Sequence, residues 1–314
     1  MWPDQVGRRV KLRQLEVLFA VVECGTMGKA AARLSLSQPV ISKAIADLER
    51  TLGARLLDRG PLGAEPTASG RALLRRSVAI FDELRLSVGE INYLADPAVG
   101  ELRIACADSM LSGILPVIIN RLCSRHPKLT FHVNQAASGE PQYQELRQRN
   151  VDLALGKLAI QLTDRDLRPE IIYQERYAVV AGARSPWVRR RSINLADLMG
   201  ERWVLQPSDN SEGRAQVVEI FRACGLEIPK VTAFSTSIQL YDALVTSGEF
   251  LAMMPTSVLQ FGPKRPAIKV LPVNLPQVSR PLGVVTLRNR TISPVVQLFI
   301  DCAREMTSGM RHLK

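Results

Sequence analysis

The stretch AARLSLSQPVISKAIADLER, Ala31 to Arg50, constrains the fold more tightly than any other part of the chain. A helix-forming sequence halts at Leu36-Ser37-Gln38-Pro39 and then resumes. Before the break, Phe19, Val22, Ala30, Ala31 and Leu34 recur with helical spacing; after it come Val40, Ile41, Ala44, Ile45, Leu48 and Leu52. Three-four spacing of apolar residues marks an amphipathic helix with one buried face. Ser37 suits an N-cap, and Pro39 falls in the first turn, where its missing N–H has no intrahelical acceptor to lose. Thr26 is placed to cap the preceding helix in the same way. The pattern therefore predicts two short helices joined by a tight turn, the second exposing Gln38, Ser42, Lys43 and Ala46. Such a pair is either an ordinary αα-corner or a helix-turn-helix that offers its second helix to a DNA major groove.

Charge separates these readings. The 314 residues carry a formal net charge of +11. Residues 1–76 hold thirteen Lys and Arg against seven Asp and Glu, over half of the excess in about a quarter of the length. A basic segment around a helix-turn-helix candidate is the electrostatic footprint of a double-stranded DNA partner. The rest of the composition, 46% hydrophobic and 23% charged, is that of a soluble globular protein.

After the second helix, Leu56–Asp58 and Ala64–Pro66 read as two very short strands around Gly60–Gly63. This is a wing, with Arg55 and Arg59 close to its tip. Thr67 then caps a long helix in which positions 73, 77, 80, 84, 87, 91 and 94 alternate by four and three. Leu73, Ile80, Leu84, Ile91 and Leu94 are the apolar occupants, and Ser77 and Ser87 interrupt them. Sustained over three heptads, the spacing predicts a dimerisation seam. A lone helix-turn-helix reads few base pairs, and two-fold pairing is the usual remedy.

DPAVG, residues 96–100, reads as a linker. Beyond it the pattern becomes strand–helix–strand–helix–strand, ELRIACA through VDLALG, which predicts a parallel sheet with right-handed crossovers. A second run, RYAVVAG, RWVLQ, KVTAF and FLAMMP with helices over 211–224 and 237–247, repeats the architecture. The chain returns through AIKVLPV and PLGVVTL to a helix capped at Ser293 with Pro294 at its first position. Two lobes joined by two crossings leave a cleft between them, a common place for a small ligand.

Other classes lack their chemistry. The five cysteines (24, 106, 123, 224, 302) are scattered singly, and His126, His132 and His312 are isolated, so no disulfide framework or metal site is expected. No GxSxG elbow or phosphate-binding glycine loop is present, and no cofactor is expected. The N-terminus has no apolar signal core and no run reaches membrane-spanning length, so a cytoplasmic, reduced protein without membrane contact is expected. A thiol switch at Cys106 or Cys224 has no basic neighbour to mark it, and buried structural cysteine is the commoner state.

The chain resembles LysR-type transcriptional regulators from end to end. The resemblance rests on AAARLSLSQPVISKAIADLERTLGARLLDR with PTASG, on the long helix, and on GELRIACA, LPVIINRLCSRHP, VDLALG, WVLQPSDNSEGR and LVTSGEFLAMMP. It implies an α + α/β chain. A winged helix-turn-helix DNA-binding domain would span 1–68, and a linker helix and hinge 69–99. An effector domain like periplasmic binding proteins would span 100–314, with one α/β lobe at about 100–172 plus 268–314 and the other at about 173–267. The resemblance further implies a homodimer or homotetramer, RNA polymerase as a partner, and no enzymatic activity.

By the same resemblance Gln38, Pro39, Ser42 and Lys43 face base edges and Arg59 serves the wing. Gln suits adenine, Lys suits guanine, and Pro can touch a thymine methyl. Arg33 is a phosphate contact or a surface charge, and Thr26 and Ser37 act mainly as caps. The loop CADSMLSG would bring Ser109 and Ser112 to a ligand at a helix start, facing Ser138, and across the cleft Ser208, Arg214 and Thr236. These groups suit a small polar metabolite, an organic acid or a sugar-like compound. Two departures from the family pattern stand out. Glu65-Pro66-Thr67 ends the wing, and Asp108 sets a negative charge where it would repel an anion or hydrogen-bond a sugar hydroxyl.

Overall fold

Three helices, α1 (Leu12–Cys24), α2 (Met27–Arg33) and α3 (Gln38–Leu52), begin the computed structural model, which describes residues 9–60, 63–159, 163–207 and 212–308. The chain divides into two compact units, Met1–Arg85 and Leu86–Lys314. In the first, Leu15, Leu18 and Val21 of α1 pack against Ala30 of α2 and Ile41, Ile45 and Leu48 of α3. Gly25 and Gly53 end α1 and α3 in the left-handed conformation that glycine tolerates. Thr26 Oγ1 accepts the Lys29 N–H at 3.2 Å, the expected cap. Ser37 occupies the N-cap position of α3, but its side chain makes no capping bond, and Pro39 lies in the first turn.

The wing is a two-stranded antiparallel ribbon, β1 (Leu57–Gly60) and β2 (Gly63–Pro66). Glu49 Oε1 anchors it by accepting the N–H groups of Leu56 and Leu57 at 2.7 and 3.2 Å. On the other side the Ala64 N–H reaches Gly25 O at 2.8 Å. A Cβ on Gly63 would stand 2.4 Å from that same carbonyl, so only glycine allows the approach.

Thr67 Oγ1 accepts the Gly70 N–H at 3.0 Å and opens α4 (Ala68–Ala95). Leu73, Leu74 and Phe81 pack on the first unit's core, and Phe81 meets Phe19 edge-on at 5.8 Å. This changes the expected seam. Leu73 belongs to that core, and Ser77 is buried with its hydroxyl donating to Leu73 O at 2.9 Å. The exposed apolar stripe begins later: Ile80 and Leu84 (43%), Val88 (57%), Ile91 (65%) and Leu94 (76%). Val88, one step from Ser87, carries the stripe where the serine would have broken it.

The second unit has two lobes. In lobe I, β3 (Val99–Cys106), β4 (Lys128–Gln135) and β5 (Leu153–Lys157) run parallel, and β6 (Leu167–Glu175) and β12 (Arg280–Leu287) complete the order β4-β3-β5-β12-β6. α5 (Asp108–Leu111), α6 (Ile114–Arg125), α7 (Glu140–Arg147) and α11 (Pro294–Ser308) belong to this lobe. Helices α6 and α11 cover one face through Ile114, Ile118, Phe299 and Ile300; Tyr143 and Leu146 of α7 cover the other. Both faces are buried, as a parallel sheet requires. Asp152, immediately before β5, ties the lobe together. Its buried carboxylate meets Arg103 of β3 at 3.0 Å and Arg290 after β12 at 2.6 Å.

Lobe II is the sheet β11-β7-β10-β8-β9, formed by β7 (Tyr177–Gly182), β8 (Arg202–Leu205), β9 (Val231–Phe234), β10 (Phe250–Pro255) and β11 (Ile268–Val270). α8 (Glu212–Ala223) packs Phe221 edge-on against Trp203, and α9 (Ile238–Thr246) covers the opposite face through Ile238, Tyr241 and Val245. Strand β11 pairs with β7, so residues 268–270 belong to lobe II, not to lobe I as the family resemblance had implied. The return crossing lies between β11 and β12.

α10 (Thr256–Phe261) follows a lobe II strand and bridges the lobes: Val258 joins the lobe II core, and Phe261 joins that of lobe I beside Tyr173. A Cβ on Gly113 would lie 2.8 Å from Ser109 O and 3.2 Å from Ser257 O, so that position needs glycine for the helix to sit so close. At the first crossing, the buried Glu175 accepts Thr256 Oγ1–H at 2.9 Å, the Ser257 N–H at 3.1 Å and the Ser257 hydroxyl.

Candidate nucleic-acid interface and ligand cleft

Ile41, Ile45 and Leu48 fix the rotation of α3 by entering the core, and the opposite face of its first turns is left to solvent. Gln38, Pro39 and Lys43 are exposed there and Ser42 is half-buried, so the four residues form one surface. Val40 is also exposed, at 46%. It was grouped with the apolar face by spacing, but it lies one residue, about 100° of helical rotation, from Ile41. Gln38 Oε1 approaches Gly28 of α2, 3.8 Å from where a Cβ would stand, and so belongs to the helix–helix corner as well as the free surface.

The two expected arginines have acidic neighbours. Arg33 Nη1 lies 2.5 Å from Glu23 and 4.0 Å from the Cys24 sulfur, which together raise the guanidinium pKa. Arg59 Nη2 on β1 lies 3.6 Å from Glu49, the residue that anchors the wing. The Arg33–Glu23 pair is exposed on both sides and therefore weak, and Arg59 is half exposed and only loosely paired at 3.6 Å with a mostly buried Glu49, so a phosphate can compete for either arginine.

In the second unit a cavity of about 110 Å³ opens at the carboxyl ends of β3, β4 and β5, facing those of β8 and β9. Of the expected ligand residues, Ser109, Ser138 and Thr236 line it. Ser112 does not: it terminates α5, its N–H bonded to Asp108 O. Arg214 is on α8, outside the lining, 6.0 Å from the Phe234 ring, and burial lowers its pKa. Ser208 lies outside the described residues.

Sequence reasoning missed Lys157, Gln135 and Gln206, which also line the cavity. Lys157 ends β5 and is only 5% exposed. Its Nζ donates to Tyr177 Oη at 2.7 Å and to Gln216 Oε1 at 3.4 Å, and stands 4.2 Å from the Tyr177 ring centroid. Burial pushes the Tyr177 hydroxyl well above its ordinary pKa, with Glu175 adding to the rise, so Tyr177 accepts from lysine as a neutral phenol. Gln216 is fully buried and donates to Glu175 O at 2.8 Å and Val278 O at 3.3 Å. The lysine is thereby connected to both crossings between lobes. A charge closing the apolar run LALGK, Leu153 to Lys157, was the sequence signal that could have revealed it.

Cys106 is buried and its thiol is pushed up to about 12, mainly by desolvation, which leaves it a poor thiolate. Among the described residues no group of three or more His, Cys, Asp or Glu is placed to hold a metal ion, and no helix is long and apolar enough to cross a membrane.

Residues 12–71 match the family described as bacterial regulatory helix-turn-helix protein, lysR family, and residues 95–308 match the LysR substrate binding domain. The uncharacterised HTH-type transcriptional regulator YdcI of Escherichia coli K12 is 25% identical over 300 residues, 95% of this chain and 96% of its own. The HTH-type transcriptional regulator BenM of Acinetobacter baylyi is 29% identical over 251 residues, 79% of this chain and 81% of its own. Among solved structures, full-length CbnR in complex with its target DNA superposes with a TM-score of 0.68 at 24% identity, covering 94% of this chain and 99% of that one.

Proposed function

The chain belongs to the LysR family of bacterial helix-turn-helix regulators, and we propose from this that α3 and the wing read its operator while the interlobe cleft takes a small polar metabolite. It is a DNA-binding transcriptional regulator with an effector-binding domain. The observation that carries the reading of the DNA site is the free first-turn surface of α3, with Gln38, Pro39, Ser42 and Lys43 on one side of a helix whose other side is locked in the core. Gln38 and Ser42 supply donors and acceptors for base edges, Lys43 a cation for guanine, and Pro39 with Val40 apolar surface for a thymine methyl. Arg33 and Arg59 reach phosphates, and Thr26 and Ser37 shape the turn. CbnR, solved on its target DNA, supports a duplex as partner.

The operator is read by a homodimer or homotetramer, paired along Ile80, Leu84, Val88, Ile91 and Leu94, a stripe too apolar to be left in water. RNA polymerase is the partner through which the bound regulator acts. The effector is an organic acid or a sugar-like compound. Ser109, Ser138, Gln135, Gln206 and Thr236 offer short polar groups, and Lys157 a cation, around a cavity of about 110 Å³.

Mobility-shift titration tests the DNA reading. Gln38→Ala and Ser42→Ala lower operator affinity by about 1–3 kcal/mol each and leave binding to random DNA nearly intact, because phosphates supply the nonspecific part. Equal losses on both DNAs remove these residues from base reading. For the cleft, a metabolite that raises the unfolding temperature is titrated by calorimetry into wild type, Ser109→Ala and Ser138→Ala. Undiminished affinity in both variants moves the ligand elsewhere.

A further inference from the structure

The cleft is bridged at its far edge by the chain's own carboxylate. Asp108, the first residue of α5 in lobe I, accepts the backbone N–H of Ile238 on Oδ2 at 2.6 Å. Ile238 is the buried first residue of α9 in lobe II. The strand orders place this bond away from the crossings. Strand β5 separates β3 from the two crossing strands β12 and β6, and β9, which leads into α9, is the edge strand of its sheet. The opposite end of the cleft is the Lys157–Tyr177–Gln216 cluster beside the crossings.

The bond is a strong one by its chemistry. It is charge-assisted, it falls on an amide that α9 itself cannot satisfy, and it brings a negative charge to the positive end of a helix. Ser237 Oγ caps the Leu240 N–H from within α9 at 3.4 Å, and Asp108 adds a second cap from the other lobe. On its other oxygen Asp108 has Gln135 Nε2 at 3.5 Å. Asp108, Gln135 and Thr236 all line the cavity, so a ligand in the cleft meets this bond directly.

We propose that Asp108 holds the two lobes together across the cleft and sets the charge that the cleft accepts beside α9. The inference rests on the cleft being the effector site. An anionic group brought to α9 must displace a carboxylate already seated there. A hydroxyl brought to the same place donates to Asp108 and adds to the bond. The ligand class that satisfies both ends carries its carboxylate toward Lys157 and hydroxyl donors toward Asp108, which is a hydroxycarboxylic acid.

Hydrogen exchange on the full chain tests the closure without any ligand. The amide of Ile238 exchanges at least tenfold faster in Asp108→Ala and by an intermediate amount in Asp108→Asn, whose amide oxygen still accepts, while amides of β3 and β10 keep their wild-type rates. Ile238→Pro removes the donor and leaves Asp108 in place. Proline is tolerated at the first helical position, and Ser237, at ψ 116°, already has the extended backbone that a residue before proline prefers. Ile238→Pro and Asp108→Ala expand the small-angle scattering profile alike, and Ile238→Ala, which loses packing but keeps the N–H, does not. Unchanged exchange at Ile238 in Asp108→Ala, or equal scattering from Ile238→Pro and Ile238→Ala, overturns the closure.

Calorimetry with malate and succinate, two diacids differing by one hydroxyl, tests the charge preference. Wild type favours malate at least tenfold, and Asp108→Ala loses that preference. No discrimination in wild type, or binding of neither acid, overturns the ligand class. Malate binding that survives both Ser109→Ala and Ser138→Ala removes the ligand from the cleft and counts against the effector site itself, while the exchange result still decides the closure.

Discussion

Asp152→Ala should destabilise the second unit far more than a typical single substitution. The Asp152 carboxylate is 3% exposed, pairs with Arg290 at 2.6 Å and Arg103 at 3.0 Å, and accepts the Arg103 N–H at 2.9 Å. Arg290 is itself only 4% exposed, so truncation leaves its guanidinium inside the protein without this carboxylate. Breaking a buried pair from one side costs about 3–5 kcal/mol. The lost amide bond adds about 1 kcal/mol. Some of this is recovered, because Arg290 keeps its bond to Val151 O at 2.7 Å and Arg103, at 24% exposure, can turn to water. The expected net loss is about 4 kcal/mol, or roughly 8–16 °C in Tm at about 2–4 °C per kcal/mol. Urea unfolding followed by tryptophan fluorescence reports on this unit through Trp187 and Trp203. Arg290→Met in the same background should recover part of the loss, since it removes the stranded charge. A loss under about 1 kcal/mol, or a double variant no better than the single, would refute the reasoning.

Leu84→Glu sets like charges face to face in the middle of the stripe on α4, so light scattering should read the protomer mass; an unchanged oligomer rules out pairing there. Arg59→Ala should reduce the log–log salt slope of operator binding by about 0.9, one phosphate contact, and an unchanged slope puts Arg59 outside the interface. Iodoacetamide at pH 8 should label the exposed Cys224 and spare Cys106, whose burial pushes its thiol pKa up to about 12; rapid labelling of Cys106 would contradict its burial. Arg147 lowers the Asp166 pKa, chiefly by hydrogen bonding. That stabilisation is present above the unfolded-state pKa and lost as pH falls through the lower folded value, so Arg147→Met should flatten the acid limb of stability against pH.

What the sequence displayed was whatever its periodicity and turn chemistry could encode. The helix pair around Ser37-Gln38-Pro39, the wing between Leu57 and Pro66 and the three parallel strands of lobe I all follow local patterns. Strand β6 did not show because Arg168, Pro169 and Glu170 interrupt it; as the edge strand beside β12 it tolerates a proline and charges. Val40 and Val88 were invisible for a different reason. Apolar spacing groups residues into faces, but only tertiary contact decides which side is covered. The same holds for Leu73 and Ser77, which the heptad places on the seam and the first unit's core claims. Ser109 could be placed from the end of a strand, and Ser138 and Thr236 from the family resemblance, whereas Lys157 and the Asp108–Ile238 bond depend on how two lobes meet, which no local pattern records.

Helix α10 limits how such a chain can be recombined. A lobe II cut out at the two crossings would take Phe261 into water and deprive the Glu175 carboxylate of its three donors. A chimera that exchanges lobe II between relatives therefore has to inherit Glu175, Thr256, Ser257 and the lobe I pocket for Phe261 as one matched set. Mosaics that split the set should be recovered only as insoluble chains, however well each lobe is suited to its own ligand.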